Sequence, residues 1–431
     1  GARAAPRRGA AGDRRGRRGA LGARPARLYE RLERVVWFGE DAANPLQLDA
    51  LPDDLDAALL AGAAERLSGA IVSSSLSCMG ATVDLRTQLA QRVACARRLA
   101  ALIGGNGYLM RLPPATRARL LADAELLAGA LDLWRFYDDS RHAGVLSGAV
   151  AALGCDARVF FERELAQMPA LFDALARAAP RDALECTRLV LALLFGAARF
   201  RTEHGAAYAV GAADTPFVPW HATPACIALL ETLFAATRSA AAAAAAADAE
   251  RRSQLCALAE FALAAHAAAA AADPAARAAY DAARPALLFP LVEAHRADRA
   301  FALAEAHRDF ATLTALCFAG RTHDAKRARH DVWEGTSARD DARVEQYLDT
   351  YGAAFADELY TFYIQHGAYR RLLTPAPEHA PLLSAFLAAR PQYERVAWLH
   401  DVGAERFAAA AATLDRAARA APALPARQAL L

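Results

Sequence analysis

Residues 84–105 read DLRTQLAQRVACARRLAALIGG, and this stretch decides the fold class because its apolar residues recur at three- and four-residue steps. One face of the predicted helix carries Leu85, Leu89, Val93, Leu99, Leu102 and Ile103. Off that face lie the arginines Arg86, Arg92, Arg97 and Arg98. Gly104 and Gly105 are predicted to end the helix, since glycine closes helix C-termini at little conformational cost.

The same period continues along most of the chain. After Pro285 the predicted helices are short, about 8 to 14 residues, and helices of that length are marginal unless they pack against neighbours. We therefore expect them to stack side by side. No segment shows the strict alternation of a half-buried strand. The pattern predicts an all-α fold, an elongated irregular α-solenoid or stacked helical bundle.

The domain organisation follows from breaks in this pattern. Residues 204–223 change character, with several glycines and prolines, and are predicted to be a connection. The predicted order along the chain is a disordered Arg/Gly/Ala-rich segment (1–27), the N-terminal part of the helical stack (28–203), that connection, middle helices with an alanine-rich insertion at 239–247 (224–284), a C-terminal helical bundle (285–421) and a tail (422–431). For residues 1–27 a basic nucleic-acid-binding arm is the alternative.

The nearly equal numbers of basic and acidic residues exclude a strong overall electrostatic potential around the protein. The chain has 431 residues with 50 basic and 48 acidic side chains, a formal net charge of +2. Such a balance gives no overall attraction to nucleic acid or an anionic membrane. A single lysine, Lys326, and abundant alanine are read as codon bias, and alanine also favours helices.

The cysteines predict a reducing compartment. Their number is odd and their spacing wide: Cys78, Cys95, Cys155, Cys186, Cys226, Cys256 and Cys317. We expect reduced core thiols in the cytosol or nucleus. No stretch of about 18 residues is rich enough in large apolar side chains to predict a membrane span, the nearest being alanine tracts.

The sequence offers no chemical motif. CxxC and HExxH zinc spacings, the GxSxG nucleophile elbow and Walker or dinucleotide fingerprints are all missing from it. Asp138 and Asp139 are read as a solvated helix end and not as a catalytic pair. We therefore predict no enzyme activity, no catalytic residue, no metal and no cofactor.

A basic segment, RTHDAKRAR at residues 321–329, is the densest cluster of positive charge outside the N-terminal run. A surface loop is the simpler interpretation, and a phosphate-binding or nuclear-import element is the alternative.

Three passages carry a family resemblance, at residues 67–103, 289–318 and 349–414. They begin LSGAIVSSSLSCMG, FPLVEAHRADRAFALAEAH and DTYGAAFADELYTFYIQHGAYRRLL. In this order they resemble the C-terminal helical domain of the 133-kDa nucleoporin family, at the tip of the Y-shaped outer-ring complex of the nuclear pore.

The resemblance implies a scaffold role at the nuclear pore complex of the nuclear envelope, in support of nucleocytoplasmic transport and mRNA export. It implies end-to-end binding to the neighbouring stem nucleoporin, of the 107-kDa type, with no small-molecule substrate and no nucleic acid. Membrane contact in the family belongs to an N-terminal propeller, which this sequence is not expected to contain.

The family's stem contact is placed on residues 224–236 and 252–266. The candidate interface residues are Ile227, Leu230, Leu233, Phe234, Leu255, Leu258 and Phe261. If they are anchors, a charge at Leu230 or Leu258 should weaken binding and leave the fold intact. The competing interpretation is that these residues are simply core.

Two other functions are open at this point. Another α-solenoid adaptor, such as a vesicle-coat or tethering subunit, would share the architecture without the three passages in order. The other is a helical enzyme with a dispersed active site, which a catalytic domain in the upstream coding sequence would favour.

Overall fold

The structure, a computed structural model, describes residues 26–37, 55–75, 84–139, 144–210, 217–243, 249–322 and 338–420. Within these ranges the regular structure is helical and no strand occurs, which confirms the all-α prediction. Most of the basic segment 321–329, most of residues 1–27 and all of 422–431 lie outside the described residues.

The chain divides into two compact units, Gly1–Ala283 and Arg284–Leu431. The division falls inside one helix, α10 (Arg277–Glu293). Residues 204–223 lie within the first unit, where two short 3₁₀ turns flank residues outside the description. The finer subdivision predicted from the sequence stays a prediction.

The first unit is built from helices of unequal length. Before α10 they are α1 (26–37), α2 (Ala57–Val72), α3 (Leu85–Gly105), α4 (Pro114–Asp139), α5 (Gly144–Ala151), α6 (Ala157–Arg163), α7 (Met168–His204), α8 (Pro224–Ala243) and α9 (Ala249–Ala272). Aspartates cap α2, α3 and α6, because each side chain accepts a hydrogen bond from a first-turn amide: Asp56, Asp84 and Asp156.

Helix α3 begins and ends where the sequence predicted, but one of its arginines is in an unexpected place. Arg92 is fully buried, with 0% of its surface exposed. Its guanidinium donates to the carbonyls of Ile71 (2.7 Å) and Val72 at the end of α2, and to Phe161 (2.9 Å) near the end of α6. Arg98 similarly donates to the Val36 carbonyl in the last turn of α1, at 2.5 Å. Helix α3 therefore closes the C-termini of three other helices.

Helix α7 is the centre of the first unit and packs against α4, α5, α8 and α9. Proline inside a helical segment favours a helix end at or just before it, and Pro180 lies within this segment. The helix instead runs through Pro180 to His204, with one non-helical residue, Asp182 (φ −129°, ψ 44°). Proline removes a helical hydrogen bond, and here the result is a kink and not an end.

Helices α4 and α7 cross at two glycines. A Cβ on Gly129 would lie 2.5 Å from the Leu193 carbonyl oxygen, and one on Gly196 would lie 3.0 Å from the Gly129 Cα. Only hydrogen fits at this contact, so the two backbones touch directly.

Helices α8 and α9 are the predicted middle helices, each longer than the pattern indicated. Part of the alanine run continues α8 to Ala243, and residues 244–248 lie outside the description. Among the described helices, α9 is long and apolar enough to cross a membrane by length and composition alone. Leu255, Leu258 and Leu263 are buried in the first unit, as expected for a core helix.

The second unit contains shorter helices, as the sequence predicted. After α10 they are α11 (Ala297–Ala306), α12 (Phe310–Thr322), α13 (Ala338–Tyr351), α14 (Ala353–Gln365), α15 (Tyr369–Leu373), α16 (Ala380–Ala388), α17 (Glu394–Gly403) and α18 (Phe407–Ala420). Helix α14 packs against α12, α13, α15 and α16. Aromatic rings on α14 contact two of these helices. The ring centroid of Phe355 lies 5.4 Å from that of Tyr347 on α13, and the ring centroid of Tyr360 lies 5.4 Å from that of Phe386 on α16.

Candidate partner-binding site

The seven predicted interface residues separate into two groups. Five are buried core of the first unit: Leu230, Leu233, Phe234, Leu255 and Leu258. The reason is that α7, α8 and α9 pack together, which covers the apolar stripes of α8 and α9. Ile227 and Phe261 are half-buried and remain partly accessible to a partner.

This burial corrects the expected effect of mutation. Leu230 is 1% and Leu258 0% exposed, so a glutamate at either position would place a charge inside the core. A buried charge without a partner destabilises the folded state. We therefore now expect such changes to destabilise the fold and not to leave it intact.

An aromatic pair of one exposed and one half-buried ring joins α7 and α9. Phe195 is 51% exposed, and its ring meets that of Phe261 edge to face at 5.2 Å. Large exposed aromatic side chains are uncommon on a surface that contacts only water, and aromatic residues are enriched at protein interfaces. The pair marks this face as a candidate contact surface.

Beside the pair lies a half-open cavity of about 150 Å³. Four helices and one turn contribute to its lining: Glu125 from α4, Leu194, Ala197, Ala198 and Arg201 from α7, His221 from the turn before α8, Leu230 from α8, and Phe261 and Ala264 from α9. Two of the predicted interface residues, Leu230 and Phe261, thus meet here. We call the cavity and the Phe195–Phe261 pair the α7–α9 site.

The polar end of the α7–α9 site is an ion pair. Arg201 donates to both carboxylate oxygens of Glu125, at 2.5 and 2.9 Å. Burial raises the pKa of Glu125, and the hydrogen bonds from Arg201 oppose that shift. The two charges offset each other, so this end of the cavity is polar without a net charge.

His221 is the third polar group of the site. Burial lowers the pKa of His221 to about 4, and the nearby positive charge of Arg201 adds to the effect. The imidazole is therefore neutral at physiological pH, with one nitrogen able to donate and the other to accept. Its ring lies 5.4 Å from that of Trp220, and no hydrogen bond to His221 is formed by the residues that the structure describes.

Two buried cysteines of the first unit, Cys186 and Cys226, have protonated thiols. Burial raises the pKa of the Cys226 thiol to about 12 and that of Cys186 to about 11, so both thiols stay protonated at neutral pH. In the described part of the chain, no group of three or more His, Cys, Asp or Glu side chains is placed to hold a metal ion.

A second concave surface lies in the second unit, between α13, α14 and α15, with a volume of about 500 Å³. Two contacts across it hold its walls together, Arg371–Asp341 at 3.0 Å and His379–Asp349 at 3.5 Å. Two of the charged residues that line it, Asp341 and Arg371, are thereby paired with each other.

Sequence reasoning missed several residues of the α7–α9 site: Phe195, Glu125, Arg201 and His221. Phe195 ends the run LVLALLF at residues 189–195, which is apolar on every side of a helix. Such a run does not tell which residue faces solvent. Glu125 and Arg201 are 76 positions apart, so only the packing of α4 on α7 brings them together.

Parts of the chain are similar to known proteins. Residues 231–423 match the family model described as "Non-repetitive/WGA-negative nucleoporin C-terminal". Nucleoporin nup132 of Schizosaccharomyces pombe is 24% identical over 253 residues, which is 51% of this chain and 20% of that protein. The chain thus spans about a fifth of the length of that relative. The matched range begins inside α8 and includes all of α9, and it covers the second unit to within the last residues.

Proposed function

We propose that the chain is a nucleoporin scaffold segment that binds a neighbouring nucleoporin through the α7–α9 site, a proposal supported by the match of residues 231–423 to the nucleoporin C-terminal family. A nucleoporin domain places the chain at the nuclear pore complex of the nuclear envelope, in a structural role. The finer proposal is that the partner is the 107-kDa-type stem nucleoporin of the Y-shaped complex, bound end to end, without catalytic activity. The scaffold role would support nucleocytoplasmic transport, including mRNA export.

The observation that carries the proposal is the exposed Phe195 ring, which contacts Phe261, a residue that lines an apolar-walled cavity. Interfaces of ordinary size bury about 800 Å² per partner, and a few aromatic or aliphatic anchors supply most of their affinity. The α7–α9 site has such anchors, and a partner that covers them removes exposed aromatic surface from water.

The test is co-purification of the full chain with the stem nucleoporin of the same organism, followed by calorimetric titration. Phe195→Glu should weaken binding by about 30-fold or more, equivalent to about 2 kcal/mol for a central aromatic anchor. Because Phe195 is half exposed, the melting temperature should stay close to that of the wild type.

Phe407→Glu is the matched control. Phe407 is 64% exposed on α18 in the second unit, so it tests whether any exposed phenylalanine would have the same effect. Normal binding by the Phe195→Glu protein, or equal loss in both variants, would remove the α7–α9 site from the proposal. Failure of the wild-type chain to form a 1:1 complex at micromolar concentration would remove the stem nucleoporin as partner.

A further inference from the structure

The cavity of the α7–α9 site has the size of one aromatic side chain. Its volume is about 150 Å³, and cavities of about that size with leucine and phenylalanine walls bind benzene. Leu194 and Leu230 form buried apolar walls, and Phe261 adds an aromatic one. The cavity can therefore accept a ring without movement of the core.

The mouth of the cavity is bordered by small side chains. Ala264 is exposed and Ala198 half-buried, and both line the cavity, so its solvent-accessible side includes these two small residues. Small residues at this position allow another chain to approach closely, so that a side chain projecting from it can reach the interior.

The polar end of the cavity selects the chemistry of the ring. Glu125 and Arg201 neutralise each other through two hydrogen bonds, and His221 is neutral. A charged anchor would bring an uncompensated charge into this partly enclosed space, which is costly. A phenylalanine ring would leave the His221 imidazole without a hydrogen-bond partner, which is also unfavourable. A neutral ring with one hydroxyl meets both conditions.

We propose that this cavity receives a single tyrosine side chain of the partner, with its ring against Leu230 and Phe261 and its hydroxyl hydrogen-bonded at the His221 end. The inference rests on the proposed function, since it names the anchor that the partner supplies. The cavity's preference for a phenol can nevertheless be measured without the partner.

The first test uses p-cresol, the side-chain analogue of tyrosine, and toluene, the analogue of phenylalanine. Each is titrated into the full chain and followed by ligand-detected NMR. p-Cresol should bind more tightly than toluene, and His221→Leu should remove that preference. Absence of p-cresol binding, or equal affinity for toluene, overturns the inference whatever the partner does.

The second test fills the cavity from its mouth. Ala264→Leu places three added carbons at the opening, and because Ala264 is exposed the fold should be retained. Ala271→Leu is the matched control, two helical turns further along α9, exposed, and not part of the lining. Ala264→Leu should weaken p-cresol binding by about tenfold or more, and Ala271→Leu should leave it unchanged.

The same two variants are then assayed with the stem nucleoporin. Loss of binding only in Ala264→Leu supports a partner side chain in the cavity. If Ala264→Leu blocks p-cresol but binds the nucleoporin normally, the inference fails and the proposed function stands. If the wild type binds p-cresol but not the nucleoporin, the assignment of the partner fails and the phenol site stands.

Discussion

At the scale of single residues, Arg92 shows how backbone carbonyls can hold a buried charge. The guanidinium reaches carbonyl oxygens in the final turns of α2 and α6, where the helix dipoles place partial negative charge. Burial lowers the pKa of Arg92 to about 10, so the side chain stays protonated at neutral pH. The charge is therefore stabilised by two helix ends at once.

Replacement of Arg92 by methionine should destabilise the first unit severely. Methionine keeps the apolar part of the side chain, but the carbonyls of Ile71, Val72 and Phe161 would lose their buried donor. Each unsatisfied buried acceptor costs about 1 to 3 kcal/mol, so we expect a loss of about 3 kcal/mol or more. Urea denaturation measures it, with exposed Arg86→Met on the same helix as the control. Equal midpoints for the two variants would contradict this account.

His221 should make stability depend on pH. The folded-state pKa of about 4 lies below the usual 6.5, so between these values the unfolded chain binds more protons than the folded one. The contribution of His221 to the free energy of unfolding, at most about 3 kcal/mol, is present above pH 6.5 and is lost as the pH falls towards 4. Urea midpoints measured across this range should fall less steeply for His221→Gln than for the wild type. Parallel curves for the two proteins would show that His221 does not carry the dependence.

At the scale of secondary-structure elements, the α4–α7 crossing depends on glycine. A methyl group on Gly129 would lie against a backbone carbonyl, which cannot move aside as a flexible side chain could. Gly129→Ala should therefore lower the free energy of unfolding by about 1 to 3 kcal/mol, although alanine is the better helix former.

Gly62→Ala provides the opposite case for the same chemical change. Gly62 lies exposed inside α2, and a Cβ there would meet nothing within 4 Å. The substitution should raise the melting temperature, because alanine gains about 1 kcal/mol over glycine in a helix. Opposite signs of the change in stability for Gly129→Ala and Gly62→Ala would identify the close α4–α7 crossing as the cause of the destabilisation. A stabilising effect of Gly129→Ala would show that the helices can separate without cost.

At the scale of the whole molecule, charge balance predicts how partner binding responds to salt. The formal charge is only +2, and the α7–α9 site combines apolar walls with an internally paired Glu125–Arg201. Binding to the stem nucleoporin should therefore vary by no more than about threefold between 50 and 300 mM NaCl, since screening acts on unpaired charges. A steep loss of affinity measured by titration over that range would point to a charged contact surface elsewhere on the chain.

The family match extends over both compact units, yet the candidate site uses only the first. The matched range 231–423 starts within α8, so α9 belongs to it and all of α4 and α7 precede it. Hydrogen exchange on the complex tests this placement directly: protection should appear in α7 and α9 and not in α17 or α18.

The sequence alone determined the helical class, because apolar spacing of three and four residues has no other stable solution in water. It also placed the start of α3 at Asp84 and its end at Gly105, since capping and stopping are local properties of a few residues. The short helices of the second unit were predicted by the short apolar-periodic segments after Pro285. The three passages in order led to the nucleoporin C-terminal family, which the comparisons confirmed.

Only the tertiary structure decided which apolar residues remain accessible. A stripe on α8 or α9 shows that a helix has a side to bury, but not which neighbour covers it, so Leu230 and Leu258 became core while Phe195 stayed exposed. The burial of Arg92, the glycine crossing and the cavity all join residues far apart in the chain. Such contacts depend on how rigid helices pack against one another, and this information is not local to any stretch of sequence.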